Sequence, residues 1–142
     1  MSFTQNSVAT LIKQPQNGKV QIANADAQNQ KTVYTGGGSG SKVSALIAVS
    51  TDTAAHDVQV SITNGGTSYP LGTVSVVAGA GNSSGVNSVN LLDPTKLLGL
   101  ALDSDGNPYI FLISGDTLTV SALTTVTSGK LITVTAPTVG DF

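Results

Sequence analysis

HDVQVSIT (56–63) sets Val58, Val60 and Ile62 at alternate positions, with Asp57, Gln59, Ser61 and Thr63 between them. A repeat of two is that of a β-strand with one face on a core and the other in water. Working outward, TLTVSAL (117–123) repeats the pattern with Leu118 and Val120, and KLITVTA (130–136) with Ile132 and Val134. LGTVSVV (71–77) and PYIFLI (108–113) read as strands of the same length class. KVSALIAVS (42–50) is nearly continuous apolar in its middle, the pattern of one strand covered on both faces. KTVYT (31–35) and VNSVNLL (86–92) add two more.

Between these runs lie GGGSGS (36–41), STDTAAH (50–56), NGGTSYP (64–70), AGAGNSSG (78–85), DSDGNP (103–108), SGD (114–116) and TSG (127–129). Gly, Asn, Asp, Ser and Pro supply the positive φ angles, fixed φ angles and side-chain hydrogen bonds that tight turns need. Short strands at this spacing predict an all-β fold, an antiparallel β-sandwich of jelly-roll or Ig-like type with about eight strands. Asp93-Pro94 followed by TKLL and Gly99 predicts one short helical turn over 93–98, capped by Asp93. Leu97, Leu98 and Leu100 would then close one end of the core.

Residues 1–30 differ from the rest. They are rich in Gln and Asn and hold two apolar bursts, VATLI (8–12) and VQI (20–22). The expected organisation is an N-terminal arm or edge hairpin over 1–30, turning at Asn17-Gly18, and a sandwich domain over 31–142. On that reading, removing residues 1–30 leaves the sandwich folded.

Composition narrows the function. The eight acids are all Asp and the six bases are all Lys, for a net charge of −2 over 142 residues. Nucleic-acid binding relies on clustered Lys and Arg, so scattered lysines and no arginine argue against it. There is no cysteine for a disulfide or a thiolate metal site. No basic-then-apolar leader opens the chain, and no apolar run approaches the ~20 residues of a membrane helix. A soluble protein made in the cytoplasm is the expectation. So few charges suggest a surface partly covered by partners.

Candidate chemistry is sparse. His56 is the only histidine; Ser50 and Asp52 share its loop, but no nucleophile elbow accompanies them. A structural histidine held in a turn at the start of a strand is the expectation. Asp103, Asp105 and Asn107 alternate as in a calcium loop but lack the distal Glu, and an Asx turn explains them without an ion. Tyr34, Tyr69 and Tyr109 read as core-edge tyrosines with hydrated hydroxyls. Expected catalytic, cofactor and metal residues are none.

STDTAAHDVQVSI (50–62), YPLGTVSV (69–76), VNLLDPTKLLGLALDSDGNPYIFL (89–112), GDTLTV (115–120) and the closing GDF resemble small virion proteins of tailed bacteriophages. In particular the chain is similar to the β-sandwich decoration, or cement, proteins of their capsids. The resemblance spans roughly residues 31–142 and rests on turn phrases and strand rhythm. It implies a structural protein without cofactor that binds the major capsid protein on the outer capsid surface, localises to the virion, and assembles as a homo-oligomer, often a trimer. It implies no membrane or nucleic-acid partner. Such proteins act through whole surfaces, so the interface candidates are apolar residues of the arm and tail: Phe3, Val8, Leu11, Ile12, Val20, Ile22 and Phe142. Phe142 would pack on its own domain or fill a pocket in another subunit. Two other classes compete: a tail- or fibre-associated adhesion module for a host glycan or protein, and a small hydrolase or lyase on a jelly-roll scaffold.

Overall fold

The computed structural model of the protein describes residues 13–142. Within them the chain is an antiparallel β-sandwich. A four-stranded sheet runs β2 (Lys31–Thr35), β10 (Thr117–Ala122), β5 (His56–Asn64), β6 (Thr67–Val76). The facing sheet runs β7 (Val89–Asn90), β4 (Ile47–Ser50), β11 (Leu131–Asp141), β3 (Ser41–Val43), β9 (Pro108–Leu112), β8 (Ala101–Leu102), with β1 (Gln14–Ala23) also paired to β11. Val58, Val60, Leu118 and Val120 of the first sheet meet Ile22, Val43, Ile132 and Val134 of the second in a core from which water is excluded. The buried core residues are all aliphatic. Many small side chains interdigitate there, and the aromatic residues among those described sit at its edge or outside it.

The periodicity of 56–63, 117–123 and 130–136 is that of β5, β10 and β11, whose alternating apolar residues face inward. The β5–β6 connection is tighter than the sequence suggests. Only Gly65 and Gly66, at φ 60° and 80°, form the turn, and Asn64 pairs directly with Thr67. Positive φ at both central residues is the two-residue hairpin that matches strand twist.

Two expectations change. The run 42–50 is two strands: β3 pairs with residues 139–141 of β11 and β4 with residues 132–135. The break faces Pro137, which has no N–H to give to a ladder. The β1–β11 register also slips opposite this point, between Gln16 and Gly18. The chain between β3 and β4 turns inward to bury Leu46 completely.

Second, residues 14–23 do not turn at Asn17-Gly18. They form one edge strand along nearly all of β11, from Gln14 opposite Asp141 to Ala23 opposite Leu131. Gly18 serves close approach instead of a turn: a Cβ there would lie 2.3 Å from the Val33 carbonyl oxygen of β2. Ile22 is wholly buried and Val20 packs on the core. The sandwich therefore begins within the segment read as an arm.

The expected short turn capped by Asp93 is present as a single hydrogen-bonded turn over residues 93–97. Asp93 O accepts from Lys96 and Leu97 N–H at 3.0 and 2.8 Å, and the Asp93 side chain accepts from Thr95 N–H at 2.9 Å. Leu97 is buried and Leu98 is 81% exposed, so the turn seals the core with one leucine and presents the next outward. The 3-10 helix of the described residues is Asn24–Asp26, where the Asp26 carboxylate accepts the Ala23 N–H at 2.8 Å and pairs with Lys31 at 2.9 Å.

Candidate interaction surface

Register across the larger sheet aligns Pro15, Gly140, Lys42 and Phe111 in one row. Alternation along β9 puts Tyr109 and Ile113 on the same outward face as Phe111, while Ile110 and Leu112 point into the core. Phe142, held by its N–H to the Gly40 carbonyl at 3.1 Å, lies beside Phe111 with ring centroids 5.9 Å apart. Phe111 and Tyr109 meet edge to face at 5.2 Å, and the Lys42 ammonium sits 4.3 Å above the Tyr109 ring. Three of the five aromatic side chains among the described residues are thus gathered on one outer face. Phe111 and Ile113 remain 53% and 66% exposed there. Leu98, Leu100, Tyr109 and Phe111 continue this face into an apolar cleft of about 260 Å³, floored by Ile62 and Leu97.

Two polar staples hold the sandwich around this face. At the near end the Asp141 carboxylate accepts the Tyr34 hydroxyl at 2.7 Å and the Ser41 hydroxyl at 2.6 Å, joining β11 to β2 across the sheets. Ser41 Oγ accepts the Gly37 N–H at 2.8 Å, so the glycine-rich loop is anchored to the same carboxylate. Burial and the neighbouring Asp141 push the Tyr34 phenol up to about 12.

At the far end Asp52 and His56 are both buried. His56 Nε2 lies 2.7 Å from Asp52 Oδ2, and Nδ1 lies 2.8 Å from Thr124 Oγ1. A carboxylate only accepts, so Nε2–H is the donor there. The Asp52 oxygens also accept N–H from Thr127 at 2.9 Å and Ala54 at 3.1 Å. Burial alone would raise this carboxyl, but these donors outweigh it and hold the group well below the usual carboxylate range. Asp52, His56 and Thr124 have the connectivity of an acid–base–nucleophile relay. Ser50, the hydroxyl suggested by sequence, instead accepts the Asp52 N–H at 3.1 Å. Thr124 is invisible to a local reading because it lies 68 residues from His56. The relay ties the loop before β5 to the loop after β10, and the apolar cleft lies elsewhere.

The remaining candidates sort as follows. Phe3, Val8, Leu11 and Ile12 lie outside the described residues. Ile22 cannot offer an interface, because it is core. Phe142 packs on its own sheet, yet as part of the outer aromatic group. Tyr34 gives its hydroxyl to Asp141 and not to water, whereas Tyr69 is exposed. Asp103 accepts the N–H of Asp105 and of Asn107, both at 2.9 Å, which is Asx-turn chemistry; these bonds hold its carboxyl below the ordinary value. Among the described residues no three His, Cys, Asp or Glu side chains gather as a metal site. Sequence reading placed Tyr109 at the core edge but missed Phe111 and Ile113 as surface residues, although their alternation with Ile110 and Leu112 was the available signal. No family model, curated protein or solved structure matches the chain.

Proposed function

We propose that this chain is a structural subunit that works by protein–protein contact, decorating the outer surface of a tailed-phage capsid as a homo-oligomer and stabilising its lattice. The observation that carries the contact reading is the outward face of Tyr109, Phe111, Ile113 and Phe142. A contiguous apolar face beside a cleft is the mark of a binding surface, and aromatic anchors dominate such interfaces. The capsid as partner comes from the resemblance of the turn phrases quoted above. Many weak copies suffice in a lattice, because multivalency raises avidity without new contacts. A glycan-binding role is less well supported: interplanar angles of 72° and 51° offer no flat stacking platform.

The test is co-sedimentation with capsid shells assembled without the protein. The wild type should pellet with shells. The double variant Phe111→Ser/Ile113→Ser, which leaves the core intact, should bind at least tenfold more weakly, about 1.4 kcal/mol. Equal binding by the variant would remove this face from the function, and no binding by either would remove the capsid.

A further inference from the structure

We propose that Asn64 is a site of spontaneous covalent modification, where ring closure with the Gly65 nitrogen converts the side-chain amide to a carboxylate, and that the fold shields the chain's other Asn-Gly pair. The chemistry is independent of the assembly reading above. Asn-Gly occurs twice, at 17–18 and at 64–65. In such a pair the glycine carries no side chain to keep its nitrogen from the Asn carbonyl carbon. That nitrogen attacks Cγ and gives up its proton, the amide nitrogen leaves as ammonia, and a five-membered succinimide results. Water then opens one of the two ring carbonyls. One product is aspartate at this position; the other is isoaspartate, whose main chain runs through the former side chain.

The two pairs sit in opposite surroundings. Asn64 is exposed and ends β5, and Gly65 and Gly66 form the turn outside the ladder. A Cβ at either glycine would meet nothing within 4 Å. The main chain there can rotate to bring nitrogen to Cγ without displacing a packed neighbour. Gly18 instead lies inside β1 opposite Ala136, and a Cβ there would fall 2.3 Å from the Val33 carbonyl oxygen. Ring closure at Asn17 would first require this strand to open locally from β11.

One bond bears the consequence. Asn64 Nδ2 donates to Asp116 Oδ1 at 2.8 Å, and Asp116 Oδ2 accepts the Ile113 N–H at 3.3 Å. Loss of the amide removes that donor and sets a second carboxylate against Asp116, where like charges oppose each other. Isoaspartate also lengthens the main chain at the residue that pairs with Thr67, which disturbs the hairpin.

The test incubates the folded protein at mildly alkaline pH and cleaves it after lysine, which puts Asn17 in peptide 14–19 and Asn64 in peptide 43–96. Fragmentation mass spectra should place the amide-to-acid mass gain at Asn64, accumulating at least tenfold faster than at Asn17, about 1.4 kcal/mol in barrier. In urea the two rates should converge, because the shielding belongs to the fold. Asn64→Gln, whose longer side chain closes a ring poorly, should show no gain at that position. Its melting temperature should hold through an incubation that lowers that of the wild type. No gain at Asn64, equal rates at the two sites in the folded protein, or a difference as large persisting in urea would each overturn the proposal.

Discussion

Asp52 collects more hydrogen-bond donors than any other charged side chain described, since two from its own loop, Ala54 and His56, and one from Thr127, 75 residues on, converge on it. Its folded-state pKa lies below the ordinary value of 3.8. The stability this provides is complete above that value and is lost as pH falls through the acid range beneath it. Urea melts of the wild type should show stability dropping from pH 5 to pH 2, and Asp52→Asn should lose much of that slope. His56→Ala strands a buried carboxylate and should cost about 3 kcal/mol at neutral pH; a melt unchanged by it would contradict the staple. Tyr34 behaves in the opposite sense. With its phenol raised to about 12, the unfolded chain loses that proton first, so stability should fall between pH 10 and pH 12. Tyr34→Phe should cost about 1 kcal/mol at pH 7 and flatten the alkaline slope in the same denaturation assay. His56 was legible as a histidine hydrogen-bonded in the turn that enters a strand, and its bonds to Asp52 and Thr124 are of that kind. Its partners were not, since Thr124 and Thr127 reach the site only through the fold.

At the scale of elements, strands whose two faces differ were readable and strands with interruptions were not. β5, β10 and β11 advertise themselves by alternation. The division of 42–50 was hidden because its cause, Pro137, lies in a different strand. Asn17-Gly18 misleads for a related reason: the pair is a strong hairpin signal, but glycine also serves where backbones approach closely. The two uses give different outcomes on mutation. Gly18→Ala drives a methyl into the Val33 carbonyl and should lower the melting temperature by several degrees, where a tolerant surface turn would show little change. Deleting residues 1–12 should leave a cooperative melt, whereas deleting residues 1–30 removes Ile22 and the edge partner of β11 and should abolish it. Circular dichroism on both truncations separates the arm from the strand.

At the scale of the molecule, among the described residues, the absence of rings from the buried core and their concentration on one outer face are two sides of one distribution. With three Phe, three Tyr and no Trp, the sequence offers few aromatics, which favours a core of small aliphatic contacts. It did not show where the rings go, because outward clustering depends on β3, β9 and β11 lying side by side, a non-local fact. The sheet that presents them has an unusual dependence. β11 bonds to β1, β3 and β4, and each of these precedes it in the chain, with Gln21 and Thr133 meeting across 112 residues. The larger sheet therefore cannot close during synthesis of its earlier strands, which must wait with their ladders open until β11 arrives. Long-range pairing of this kind makes for slow folding, in the range of milliseconds to seconds. Until then, the ends that will later stand together at Lys13 and Phe142 belong to a chain whose edges can pair with strangers.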